Sequence, residues 1–256
     1  MVGINDKMRS SAELQADIDY IEVVNNKDDG MEFFGGTVNC ENLFLYNNED
    51  DSVDWTEGFH GYLRNVVVIQ NQPDADSGIE ADNWEYGFDN LPRSMPKIYN
   101  ATFIGNHQVS VAPGHGNRYR RGTGCISRNF IVMNFGGKGI RVDDAETYAL
   151  FGEELQWTNG IVYGNADNFG GDDATAVEDW ILDPTSLNRV IDPMLADPLN
   201  TLVPNVTPLP GSPGRAALGG STVTPGTVLA VVVRTLLLEV VPSPAEVCDR
   251  ILEAAR

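Results

Sequence analysis

Short alternations of apolar and polar residues recur along the first two thirds of the chain. Six segments share one frame, in which an Asn or a substitute is followed, after five residues, by a second Asn or substitute. They run Tyr20–Asn26, Asn42–Asn48, Asn65–Asn71, Asn100–Asn106, Asn129–Phe135 and Asn159–Asn165. The first and third residues after each opening marker are apolar or small: Ile21 and Val23, Leu43 and Leu45, Val66 and Val68, Ala101 and Phe103, Phe130 and Val132, Gly160 and Val162. Period-two alternation over so short a run predicts a strand with one buried face. The opening markers lie 22, 23, 35, 29 and 30 residues apart. Such a repeat is one coil of a solenoid, with the longer steps carrying inserted loops at 72–96 and 107–124. Each strand then pairs in parallel with its copy in the next coil, and equivalent side chains stack about 4.8 Å apart. Stacked Asn amides can hydrogen-bond along such a ladder. The pattern therefore predicts an all-β, right-handed parallel β-helix over residues 1–221.

After Asn165 the alternation fades, and Asp183-Pro184, Asp192-Pro193 and Asp197-Pro198 punctuate an irregular stretch through Pro213. Thr227 to Val241 reads as a strand or a buried helix. Ser243-Pro244-Ala245-Glu246 is a capping box with Pro at the first helical position, which predicts a short helix to about Ala255. Solenoid ends need cover, and the tail over 222–256 is expected to supply it.

Charge narrows the partners. There are 37 acidic residues against 17 basic ones, a formal net charge of −20. A field of that sign repels nucleic acid and anionic membrane, and it fits either a solubility adaptation or cation binding. Cys40, Cys125 and Cys248 are too scattered for a disulfide framework or a zinc site. Met1 to Gln15 lacks the basic-then-apolar pattern of a signal peptide. Val228 to Val241 is broken by Arg234 and Glu239 and is too short to span a bilayer, so no membrane insertion is expected. No phosphate loop, dinucleotide fingerprint or Gly-x-Ser-x-Gly elbow occurs, so no organic cofactor is expected.

Two clusters carry candidate chemistry. Asp28 and Asp29 recur 22 residues on as Asp50 and Asp51, while Glu32 recurs as Asp54 and, beyond an inserted loop, as Glu80. In a β-helix these become vertical columns of carboxylates. Like charges stacked so closely repel unless a cation or shared proton intervenes. Three readings follow: a calcium site built from Asp28, Glu32, Asp54 and Glu80, a catalytic carboxylate group with pKa values driven apart, or a solvated acidic turn ladder. The second cluster lies between Asn106 and Gly124 and holds His107, His115, Arg118, Tyr119, Arg120 and Arg121. Arg118, Arg120 and Arg121 either attract an acidic sugar, with His115 as a base for a lyase, or pair with neighbouring acidic columns. Trp84, Tyr86 and Phe88 sit in the preceding loop, where aromatic faces stack on sugar rings or pin the loop to the solenoid wall.

The run Asp28-Asp29-Gly30-Met31-Glu32-Phe33-Phe34-Gly35-Gly36-Thr37-Val38-Asn39, with Asp50–Gly58 and Gly78–Asn83, resembles a family of exported bacterial β-helix proteins. The resemblance covers residues 18 to 220, includes Asp192-Pro193 and Gly211-Ser212-Pro213, and implies an extracellular or cell-surface life. The Asn-x-Asp-Asp-Gly run with Asp-Asp one coil later is also similar to polygalacturonase-type glycoside hydrolases. That similarity implies Asp50 as general acid and Asp29 and Asp51 as holders of the attacking water. Those enzymes carry Gly-His-Gly one coil further on, where this chain is expected to place Gln70-Asn71-Gln72; its own Gly114-His115-Gly116 falls later. The functional expectation is action on an extended, anionic polysaccharide as a hydrolase or lyase, with catalytic residues among Asp29, Asp50, Asp51 and His115. The alternative is a non-catalytic carbohydrate-binding or cell-surface structural protein stabilised by Ca2+. The sequence does not fix the oligomeric state.

Overall fold

The structure is a computed structural model of the 256-residue chain and describes residues 2–4, 17–106, 114–200 and 204–214. In chain order the first elements are β1 (Val2–Ile4), β2 (Asp17–Val24), β3 (Met31–Phe34), β4 (Asn39–Tyr46) and β5 (Val53–Thr56). There follow β6 (Tyr62–Ile69), β7 (Ile79–Ala81), β8 (Lys97–Ile104), β9 (Asn117–Tyr119), β10 (Cys125–Met133) and β11 (Lys138–Val142). The last are α1 (Ala145–Tyr148), β12 (Leu155–Tyr163), β13 (Asp167–Gly171), α2 (Ala174–Ile181), β14 (Leu195–Asp197) and β15 (Asn205–Pro208). The odd-numbered strands β1 to β13 form a seven-stranded sheet, here sheet one, in sequence order. The even-numbered strands β2 to β12 form the six-stranded sheet two, and all neighbours in both sheets are parallel. A chain that visits the two sheets alternately and advances one place at each visit is a parallel β-helix, as the repeat predicts.

Sheet two owes its shape to the opening markers. Tyr20, Asn42, Asn65, Asn100, Asn129 and Asn159 all have φ between 55° and 61°, and the strand register skips them. Each long strand therefore turns a corner at its marker, through a left-handed conformation that costs L residues other than Gly and Asn about 1–2 kcal/mol. The amides then stack. Asn42 Nδ2 donates to Asp19 Oδ1 at 2.7 Å, Asn65 to Asn42 at 2.9 Å, Asn100 to Asn65 at 3.1 Å and Asn129 to Asn100 at 3.1 Å. The closing markers are less regular. Asn106 bonds Asn71 at 3.2 Å, whereas Asn48 is fully buried with no partner for either amide atom among the described residues.

The alternating apolar residues fill the inside of the coil. Leu43, Val66, Ala101, Phe130 and Gly160 make one interior column, and Leu45, Val68, Phe103, Val132 and Val162 the next. Gly160 is small because the Phe130 ring fills its side-chain space: a Cβ there would lie 1.8 Å from the ring. Trp55, Tyr119 and Trp157 continue the aromatic stack, fully or almost fully buried. α2 closes the far end. Its N-cap Asp173 accepts from the Ala176 N–H at 3.0 Å, and Val177 and Ile181 are buried in the main core. A second apolar cluster lies on the outer face of sheet two, where Leu195 and Val206 of the antiparallel β14–β15 pair cover Val67, Ile69, Ile104 and Ile131.

Two short strands, β7 and β9, run inside the stretches expected as inserted loops and keep sheet one continuous. His107 and the tail over 222–256 lie outside the described residues. Among the described residues no helix is long and apolar enough to cross a membrane.

Candidate functional site

The site grows from the turn that leads into sheet one. Asp28-Asp29-Gly30, Asp50-Asp51-Ser52, Asp76-Ser77-Gly78 and Gly114-His115-Gly116 each precede a strand of that sheet, and the register stacks them coil upon coil. The third place must be small: a Cβ on Gly78 would lie 2.5 Å from the Gly116 carbonyl oxygen, and one on Gly116 2.3 Å from that of Gly139. The second place carries an acceptor. Asp29 Oδ1 takes the N–H of Asp51 at 3.1 Å, Asp51 Oδ1 that of Ser77 at 2.8 Å, and His115 Nδ1 that of Lys138 at 2.9 Å. Asp29, Asp51 and His115 are thus equivalent residues in one column, separated at the third coil by Ser77.

This corrects the expected alignment with the hydrolase pattern. Gln70-Asn71-Gln72 does not follow Asp50-Asp51 in space. Gln70 instead supports the turn from within, its Nε2 donating to the Ser77 carbonyl at 2.8 Å and to Ser52 Oγ at 3.2 Å. The length of the inserted loops hides from the sequence that Gly114-His115-Gly116 stands in line, two coils beyond Asp50-Asp51.

On the strands themselves, Glu32, Asp54, Glu80, Arg118 and Arg141 occupy one outward column. The expected carboxylate alignment is present, and it passes into arginine within the same column. Asp29, Glu32 and Asp54 each offer an oxygen within 4.8 Å of the others, as do Asp28, Asp29 and Asp50, and Asp50, Asp51 and Asp76. Among the described residues none of these seven carboxylates pairs with a Lys or Arg. Burial, with Asp50 and Glu32 alongside, pushes Asp29 up to about 7. Burial and the neighbouring Asp29 and Glu80 push Asp54 up to about 9. Asp51 is raised well above the ordinary carboxylate range by burial, then by Glu80 and Asp76. Glu32 and Asp50 are raised for the same reasons. Uncompensated, closely spaced hard oxygens fit a cation such as Ca2+.

Glu80 does not join that group. Arg118 Nη1 reaches it at 3.2 Å and Arg120 bonds it too. Arg120 Nε also holds Asp82 at 2.6 Å, Arg121 reaches Asp82 at 2.7 Å, and Arg118 Nε holds Asp143 at 3.0 Å. All three arginines therefore have carboxylate partners. The loop carrying Trp84 and Tyr86 packs against the Arg121–Gly122 turn, where the Phe88 carbonyl lies 2.1 Å from a Cβ placed on Gly122. Trp84 is tied back by its Nε1 to the Pro92 carbonyl at 3.2 Å, while Tyr86 is 85% exposed.

Asp76, Asp82, Arg141 and Asp143 belong to the site and escaped the sequence reading. For Asp76 a signal exists: acid, acid or Ser, then a small residue before the strand. Asp82, Arg141 and Asp143 have no local marker, since only the register brings them in.

No curated protein and no solved structure matches the chain. A family model described as a pectate-lyase-like β-helix domain matches residues 15–182. That match spans well over half of the sequence and coincides with the two-sheet solenoid, so the chain belongs to the pectate-lyase-like β-helix family.

Proposed function

We propose that this protein is carbohydrate-active toward an extended acidic polysaccharide lying along the outward face of sheet one. The carrying observation is the outward column of Glu32, Asp54, Glu80, Arg118 and Arg141. Its acidic end has no cationic partner among the described residues, and its other end presents guanidinium groups. The family description supports a carbohydrate substrate. A cation held by Asp29, Glu32 and Asp54 would bridge the protein to sugar carboxylates, for which seven bare carboxylates would otherwise be repulsive.

The reaction favoured is elimination. A uronate whose carboxylate is neutralised by cationic groups loses its adjacent ring proton more readily to a carboxylate of this face; the freed electron pair forms the C=C bond, the glycosidic C–O bond breaks, and the leaving oxygen takes a proton from water. One observation keeps hydrolysis as a second reading: a carboxyl pushed up to about 7, as Asp29 is, can take a proton from an attacking water at neutral pH. Under that reading Asp50 is the general acid, with Asp29 and Asp51 holding the water.

The test is incubation with polygalacturonate in calcium or in EDTA, following unsaturated-uronate absorbance and reducing ends together. Elimination yields both signals, is lost in EDTA, and is lost in Glu32→Gln/Asp54→Asn. Reducing ends without absorbance select hydrolysis, and Asp50→Asn should then abolish them. Binding without either signal selects a non-catalytic carbohydrate-binding role. Absence of both binding and product for polygalacturonate and other acidic polymers sinks the proposal.

A further inference from the structure

One corner of sheet one sets donor against donor. His115 Nδ1 accepts the Lys138 backbone N–H at 2.9 Å, so the proton of the neutral ring sits on Nε2. Nε2 lies 3.0 Å from Arg141 Nη1, and guanidinium nitrogens only donate. Two N–H groups thus point at the same place with no acceptor between them among the described residues. Arg141 Nε is already spent on the two oxygens of Asp143, at 2.9 and 3.0 Å. Nη1 has no acceptor among the described residues.

The charge balance points the same way. Arg118 and Arg141 are direct register partners, two like charges side by side. They share Asp143, and Glu80, the other partner of Arg118, also serves Arg120. Within the ion pairs here, Arg118, Arg120, Arg121 and Arg141 meet Glu80, Asp82 and Asp143, four positive charges against three negative ones, with Asp76 also acting on His115. The Arg141 side chain is 32% exposed, so a solute can reach it.

We propose that His115 Nε2 and Arg141 Nη1 together bind one carboxylate of an acidic sugar chain, whose planar pair of oxygens supplies the acceptor both donors lack. The inference rests on the reading that an acidic polysaccharide occupies this face, and it deepens that reading by fixing where one uronate sits. Burial and Arg141, assisted by Arg118, hold the His115 pKa down to about 4 against the opposite pull of Asp76 and Asp143. The ring therefore stays neutral at neutral pH and keeps its Nε2 proton. His115 then serves as a hydrogen-bond donor to substrate, in place of the base expected for it from sequence.

The test uses the full chain labelled with 15N-histidine, titrated with sodium trigalacturonate, with its fully methyl-esterified form, and with sodium acetate. Trigalacturonate, and more weakly acetate, should shift the His115 Nε2 resonance, and the ester should not. Arg141→Gln should weaken trigalacturonate binding by about tenfold or more, the usual scale of a lost charge-assisted hydrogen bond. His115→Asn keeps an acceptor for the Lys138 N–H and removes the Nε2 donor, so it should weaken binding similarly even if Arg141→Gln fails to fold. Equal affinity for acid and ester, or an unchanged Kd in His115→Asn, overturns the site. An acetate response without trigalacturonate binding keeps the anion site and removes the polysaccharide reading. Trigalacturonate binding that leaves the His115 signal unmoved does the reverse, and silence toward both anions removes the site.

Discussion

The solenoid stacks two polar columns at the same spacing, and their fates differ. On sheet two, Asn42, Asn65, Asn100 and Asn129 are each joined to the next by a side-chain hydrogen bond between amides. On sheet one, Glu32, Asp54 and Glu80 occupy an equally regular column and cannot satisfy one another. A primary amide carries donors and an acceptor, so a chain of amides is self-completing at any length. An ionised carboxylate only accepts, so each added copy raises the cost. The fold resolves this in two ways. Farther along, Arg118 and Arg120 enter and neutralise Glu80; at the start, Asp29, Glu32 and Asp54 have no cationic partner among the described residues. A column that closes on itself holds the fold together. A column left open has capacity for a ligand.

The sharpest break of that comparison is at the neutralised part of the charged column. Arg120→Gln should destabilise the protein by about 3 kcal/mol, since it leaves Glu80 and the largely buried Asp82 without their main partner. Urea denaturation measures this, and a loss under about 0.5 kcal/mol would make the arginines free for substrate. Next is the neutral ladder. Asn100→Ala removes two inter-coil hydrogen bonds and puts Ala in a left-handed conformation, for an expected loss of about 2 kcal/mol. Gly at the same position should recover roughly the conformational half.

The open column should respond in the opposite direction. In EDTA, Asp54→Asn should raise Tm by about 3 °C, the size of a 1 kcal/mol gain in a chain of this length, because it removes a carboxyl that folding forces to take up a proton. The pH dependence follows with its sign. Folded Asp29 and Asp54 titrate near 7 and 9, above the ordinary 3.8, so the folded state holds more protons than the unfolded one between those values. Metal-free stability therefore falls as pH rises from about 4 toward 9. Calcium should flatten that decline in the natural chain and have little effect in Asp54→Asn. A metal-free Tm that rises across this window would contradict the uncompensated column.

Architecture was legible because a repeat advertises itself. Six frames with apolar residues at fixed offsets required no knowledge of distant contacts, and the left-handed corner explains why Asn recurs there and not merely a polar residue. The carboxylate columns Asp28/Asp50, Asp29/Asp51 and Glu32/Asp54/Glu80 were legible for the same reason, being equal offsets in successive coils. His115 was visible as a residue but misplaced, since counting cannot follow a chain through excursions of unequal length. The solenoid end cap α2 was missed because it lies where the alternation had already faded.

By itself, then, the order of residues determined the strand period, the coil length, the Asn corner and the grouping of acids, all of which depend on separations within a coil or between adjacent coils. Tertiary structure alone decided which charges meet. It set His115 in line with Asp29 and Asp51, gave Glu80 to the arginines, and turned Arg141 toward His115. The physical reason is that parallel pairing fixes neighbours by backbone register across coils. An inserted loop changes the distance along the chain without moving the strand that follows it out of its place in the sheet.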